Sequence, residues 1–459
     1  MKLPRYERYK ESGCQWLGEV PEHWRVNRLR HVLSRNDGGV WGTDDDSQGT
    51  VVLRSTEQTV GGGWQIDDPA RRRLTADEKS YARLAAGDLV ITKSSGSALH
   101  IGKTSLVTKA IEALDAAFSN FMQRLRCGEE LSPRIAAYLL NSPVGRQQLV
   151  YQSNTTTGLA NLNGSMLANV VFANAPREEQ RTIADFLDRE TGKIDTLVGK
   201  KRELIEKLNE KRTALISRTV TRGLPAEAAA KARLNPRPKL KHSGIEWLGD
   251  IPEHWKGMKV KFVARMESGH TPSRSESSNW IEEECLIPWV SLNDTKFLRD
   301  NDFIGDTAVK ISEEGMRNSS AHLLPTGVVV FTRDATIGLT AITTCPAAVS
   351  QHIIAWVPGS KITPKFLMLS FKAMQQYLES LTFGSTLKTI GMTDVRKLVT
   401  PVPPVAEQIA IAEYLDRETA KIDKMMEKVE AAIEKLQEYR TALITAAVTG
   451  KIDVRAVDR

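Results

Sequence analysis

Along most of the chain, apolar residues come in short β-branched runs. Two stretches break that habit and hold a helical period for about 40 residues. Runs such as DLVIT at 88–92 and VVVFT at 328–332, bounded by Gly, Pro, Asn and Asp, predict strands in a mixed α/β context. GDLVITKSSGSALHIGKTSLV and TGVVVFTRDATIGLTAIT each read as strand, polar turn and second strand. The helical stretches cover 176–216 and 404–444. Stepping 4-3 from Ile183 picks Ile183, Leu187, Glu190, Ile194, Leu197, Lys201, Leu204, Leu208, Lys211 and Leu215, of which seven are apolar. The second series, Ile411, Leu415, Glu418, Ile422, Met425, Val429, Ala432, Leu436, Tyr439 and Leu443, fails only at Glu418. A stripe this narrow, repeating every 3.5 residues, predicts a coiled-coil seam rather than the wider face of a globular helix. Pro176 and Pro404 mark the starts, and Gly223 and Gly450 lie just past the ends. Such a helix spans about 60 Å.

The helices are two copies of one segment: PREEQRTIADFLDRETGKID and EKLNEKRTALI recur as PVAEQIAIAEYLDRETAKID and EKLQEYRTALI, 228 residues later. A shorter aromatic block, SGCQWLGEVPEHW at 12–24, recurs as SGIEWLGDIPEHW at 243–255, offset by 231. A unit of half the chain is far longer than a solenoid repeat and means a tandem pair of domains. Between the blocks, roughly 25–175 and 256–403 resemble each other only faintly. The duplicated Trp16, Trp24, Trp247 and Trp255 are expected to be core.

Composition narrows the function. With 41% hydrophobic and 26% charged residues the chain is globular, and no run reaches the roughly 18 apolar residues of a membrane span. The start, MKLPRYERYKESG, has neither a signal-peptide nor a transit-peptide character, so a cytoplasmic place and no membrane partner are expected. A net charge of +7 is mild for a nucleic-acid binder, and most of the excess sits at 176–242, with 17 basic and 10 acidic residues. Either the surface is locally patterned or partners supply much of the phosphate contact.

Catalytic patterns are missing. The eight histidines show no HExxH, the four cysteines are scattered, and no NPPY-like methyltransferase tetrapeptide occurs. Ser97–Thr104 approaches a phosphate-binding loop but has Ser97 where the first glycine belongs; a turn between strands, with Lys93 and Lys103 facing solvent or DNA, reads better. Asp67, Asp68 and Asp77-Glu78-Lys79 can be forced into a nuclease-like set, as charged loops often can. No cofactor and no catalytic residue is expected.

The two WLG–PEHW blocks, each opening a variable domain that closes on EEQ or AEQ, LDRET–KID and EKL–E–RTALI, resemble the specificity subunits of type I restriction-modification systems. The likeness runs over essentially the whole chain. It implies two target-recognition domains, repeated helices pairing as an antiparallel coiled coil, and binding to double-stranded DNA. It also implies two modification methyltransferase subunits, which would bring S-adenosylmethionine, and leaves room for motor-nuclease restriction subunits in phage defence.

The expected fold is α+β: two tandem mixed α/β recognition domains, pseudo-two-fold, separated by the pairing helices. The bounds are 1–175 for the first domain, 176–224 for the first helix, 225–241 for a basic linker, 242–403 for the second domain and 404–459 for the second helix. Polar, turn-rich segments supply candidate DNA contacts. In the first domain these are Arg54, Lys93, Ser94, Ser95, Lys103, Thr157, Asn161 and Asn163. In the second they are His270, Thr271, Ser273, Arg274, Arg333 and Lys388. Each, taken singly, also fits an ordinary surface loop.

Overall fold

The computed structural model describes residues 3–44, 48–95, 100–153, 161–280, 282–384 and 388–456, with Glu282 described by its backbone alone. The chain divides into two compact units. Unit 1 is Met1–Lys201 with Glu430–Arg459, and unit 2 is Arg202–Val429.

In unit 1, β1 (Arg25–Arg28), β2 (Leu33–Gly38), β3 (Asp88–Thr92), β4 (Thr104–Leu106), β5 (Met122–Cys127) and β6 (Val171–Asn174) position the site. An antiparallel sheet runs β2-β5-β3-β4, and β1 pairs with β6. β3 is DLVIT, buried at every position, which is why it reads as a continuous apolar run and not an alternating one. The first long helix follows, Arg177–Arg222.

Unit 2 repeats the plan with β7 (Lys256–Lys259), β8 (Ala264–Ser268), β9 (Phe303–Ile304), β10 (Val329–Thr332), β11 (Thr340–Thr343), β12 (Ile353–Pro358) and β13 (Val399–Val402). Its sheet runs β8-β12-β10-β11-β9, the first four antiparallel as in unit 1, with β9 added parallel to β11; β7 pairs with β13. The faintly similar stretches thus fold to one sheet order, with β3–β4 and β10–β11 as the strand–turn–strand elements expected. The second long helix is Val405–Val448. Between the first long helix and β7, the stretch expected as linker carries a short helix, Ala226–Lys231, because its alanines favour helix and Ala229 is buried.

The aromatic block of each unit sits at the start of one long helix and the end of the other. In unit 1, Trp24 is buried beside the turn at Gly450, and His23 Nε2 lies 2.9 Å from Glu179 Oε2 in the first turn of the first helix. In unit 2, Trp255 is buried beside Gly223 and donates from Nε1 to Glu407 Oε2 at 3.0 Å, while His254 lies 2.9 Å from the same oxygen. Gly450, at φ 71°, is fixed twice: its backbone is left-handed, and a Cβ there would stand 2.3 Å from Pro21 Cδ. Trp24 and Trp255 are core as expected; Trp16 and Trp247 are half-buried.

Within each unit the helices pair antiparallel. Arg440 Nε meets Asp195 Oδ1 at 2.9 Å in unit 1, and Arg212 Nε meets Asp423 Oδ1 at 2.9 Å in unit 2, each pair being the other's copy under the 228-residue offset. The seam differs from expectation in phase. Ile183, Leu187, Ile194, Ile411, Leu415, Ile422 and Leu443 are buried, and Leu208, Leu215, Val429 and Leu436 are half-buried. However, Leu197 and Leu204 are each 44% exposed and Met425 is 53% exposed. The inward positions are one residue later: Thr191, Val198, Ile205 and Arg212 in the first helix, and Thr419, Met426, Ile433 and Arg440 in the second. A 3-4 step from Leu187 would bury Glu190, whereas the observed step places Thr191, whose hydroxyl donates to the Leu187 carbonyl at 2.7 Å; Thr419 does the same to Leu415 at 2.8 Å. Among the described residues, no helix is long and apolar enough to cross a membrane.

Candidate nucleic-acid interface

In unit 1, three segments meet at one end of the sheet. The residue after β3, Lys93, donates its amide to the Phe121 carbonyl at 3.0 Å and accepts from the Leu162 amide at 2.8 Å. Ser94 pairs with Asn161 as an isolated bridge, and its hydroxyl donates to Asn161 Oδ1 at 2.6 Å. Asn163 accepts the Met166 amide at 2.9 Å and caps the short helix Gly164–Ala168, as Asn does where an orphan N–H needs an acceptor. Lys93, Ser94, Ser95, Asn161 and Asn163 are therefore brought together; Thr157 lies outside the described residues.

Two candidates are elsewhere. Lys103 is 3% exposed, and its ammonium donates to the Ser55 and Gln58 carbonyls at 2.8 and 2.9 Å; burial lowers its pKa from the ordinary lysine value. It ties the loop to the core and faces neither solvent nor DNA. Arg54 is spent on Glu57, with Nη2 2.6 Å from Oε1, and on the Asp68 carbonyl at 3.1 Å. Of the acids that suggested a nuclease set, Glu78 closes a capping box with Thr75, whose hydrogen bonds hold its carboxyl below the usual range. Among the described residues no group of three or more His, Cys, Asp or Glu is placed to hold a metal.

Unit 2 builds the same frame from other side chains. Arg333, after β10, donates its amide to the His352 carbonyl at 3.1 Å and accepts from Ile390 at 3.0 Å; Asp334 bridges Thr389, and Ala335 donates to the Lys388 carbonyl at 2.9 Å. Thr271 donates its hydroxyl to Gln351 Oε1. Arg333, Thr271 and Lys388 thus share this end of the sheet. His270, Ser273 and Arg274 belong to the adjoining loop: the His270 carbonyl accepts the Trp289 indole at 3.2 Å, the Ser273 carbonyl accepts the Trp280 indole at 2.9 Å, and the Arg274 guanidinium lies over the Trp280 ring.

The frame exposes a pair of positions that the sequence reading passed over. Phe121 and His352 play one backbone role 231 residues apart, the offset of the aromatic block, with Asn120 and Gln351 before them. Phe121 is 55% exposed, while Gln351 and His352 are half-buried in a polar network. Applying the known offset through the variable stretches would have aligned them.

Comparison with known proteins bears on the whole arrangement. Residues 252–435 match the family model of the type I restriction modification DNA specificity domain. Two proteins of Methanocaldococcus jannaschii align along nearly their whole length. The putative type I restriction enzyme MjaX specificity subunit is 21% identical over 97% of this chain and 98% of its own, and the MjaVIII specificity subunit is 22% identical over 97% of each. The MjaIX specificity subunit of the same organism is 27% identical over 37% of this chain and 38% of its own. A solved structure concerning assembly and conformational transition of the type I R-M system superposes with a TM-score of 0.63 at 19% identity, over 94% of this chain and 99% of that one, a likeness of fold.

Proposed function

Because this chain belongs to the specificity subunits of type I restriction-modification systems, we propose that its two units read the two halves of a bipartite, asymmetric DNA target. The chain supplies sequence recognition within a complex whose other subunits supply chemistry. Residues 1–175 act as one recognition domain and 242–403 as the other. The observation that carries this reading is the backbone frame shared by Lys93–Phe121–Leu162 and Arg333–His352–Ile390, which holds different side chains in the same places. Equal frames with unlike groups suit two readers of unlike sequences.

The repeated helices, with their matched Arg–Asp pairs, offer two equivalent surfaces to two copies of one modification methyltransferase, which brings S-adenosylmethionine, and the cytoplasmic assembly leaves room for a motor-nuclease subunit. The test replaces residues 256–403 with the corresponding stretch of another specificity subunit, co-expressed with the modification partner, and reads the methylated motif by methylome sequencing. One half of the motif should change and the other persist. A change in both halves, or in neither, would overturn the assignment.

A further inference from the structure

We infer that Gln351 reads an adenine in the half-site of unit 2, through a side-chain amide whose orientation is fixed from both sides. This rests on unit 2 being a DNA reader, as proposed above. Gln351 lies in the turn that enters β12, beside the segment after β10, and belongs to a chain of polar groups running Thr271–Gln351–His352–Asp334–Arg333.

The direction of each hydrogen bond follows from its neighbour. The Asp334 carboxylate, 4% exposed, faces His352 Nδ1 at 2.7 Å and Arg333 Nε at 3.4 Å. An imidazole nitrogen against a carboxylate carries the hydrogen, and in that tautomer Nε2 is the acceptor. The Gln351 atom 3.3 Å from that Nε2 is therefore the amide nitrogen, and the amide oxygen accepts from Thr271. Turning the amide over would set its oxygen against the imidazole lone pair.

An amide has two hydrogens on nitrogen and two lone pairs on oxygen. One of each is used inside the protein, which leaves one donor and one acceptor. In the major groove that pair complements adenine, which offers acceptor N7 and donor N6–H. Guanine offers two acceptors and would leave the amide oxygen unpaired; cytosine offers a donor alone. Unit 1 lacks this relay, having Ser94, Asn120 and Phe121 at the equivalent places, so the assignment concerns unit 2 only.

The test uses the full chain with its modification partner and reads the methylated motif of wild type, Gln351→Met and Gln351→Glu. Methionine keeps the length and loses both hydrogen bonds: one A·T position in the unit 2 half-site should become degenerate, with discrimination there falling about 5- to 150-fold, and the other half-site should persist. Glutamate keeps acceptors and loses the donor, so preference at that position should move from adenine toward cytosine. The proposal is overturned if Gln351→Met retains the wild-type motif, if the degenerate position is a G·C pair or lies in the other half-site, or if both variants lose all methylation while melting as wild type does. A wild-type chain that yields no bipartite motif would instead sink the functional reading itself.

Discussion

Arg124 has no exposed side-chain surface, yet it carries a charge in the middle of β5. Its guanidinium meets both Asp37 oxygens, at 2.8 and 2.7 Å, and donates to the Arg83 and Tyr81 carbonyls, each at 2.7 Å. Four of the five guanidinium N–H groups find acceptors and the Asp88 carboxylate lies 3.8 Å from Nη1, so the site tolerates a charge as long as these partners stay. Arg124→Ala should therefore destabilise unit 1 by about 3–5 kcal/mol, because Asp37 loses two of its three guanidinium hydrogen bonds, keeping the one from Arg35, and the Arg83 carbonyl loses its side-chain donor. Urea unfolding followed by tryptophan fluorescence measures it; a loss below about 1 kcal/mol would mean that the network is not holding the sheet. Arg124 and Lys103 also mark where reading a sequence stops. A lysine one residue from a strand looks the same whether it faces water or a ring of carbonyls, since its partners Ser55 and Gln58 are 48 and 45 residues away along the chain. Ser94 and Asn161 were legible as polar turn residues, but that they touch was not.

For the helices, the sequence made the existence, length and end points plain, from Pro176 and Pro404 to Gly223 and Gly450. The phase of the seam was hidden because apolar residues come in adjacent pairs: Leu197-Val198, Leu204-Ile205 and Met425-Met426 score alike in a heptad count. The polar positions decide, threonine entering where glutamate would cost more. The two phases predict opposite outcomes for neighbouring substitutions. Ile205→Asp puts a carboxylate into the seam and should cost several kcal/mol. Leu204→Asp, on the outer face, should change thermal stability by no more than about 0.5 kcal/mol. Circular dichroism melts of the two variants decide between the phases, and equal losses would count against the one described. If Leu204→Asp also reduces methylation in cells while melting normally, its outer face is a docking surface for the partner.

Across the whole molecule, the repeated helices should set the distance between the half-sites. Inserting seven residues after Lys207 and seven after Lys435, its copy in the second helix, keeps both seams in heptad register and lengthens the pair by about 10 Å. That length corresponds to about three base pairs. Both half-sites should keep their identity, since neither recognition domain is touched, while the nonspecific gap grows. Methylome sequencing reads the gap directly, and an active variant with the original gap would show that the helices do not measure it.

The division of each long helix between the two units bears on how the protein is made. Unit 1 is built from Met1–Lys201 and Glu430–Arg459, and its core includes Leu443, Ile444, Ala447 and Val448. At a synthesis rate of about 5–20 residues per second, the first unit waits roughly 10 to 50 s on the ribosome for these side chains while the second is translated. During that wait the inner face of its first helix, with Ile194 and Val198, lacks the surface that covers it. Until residues 430–459 follow, that apolar face is open to aggregation, and those residues close a domain that residues 1–201 began.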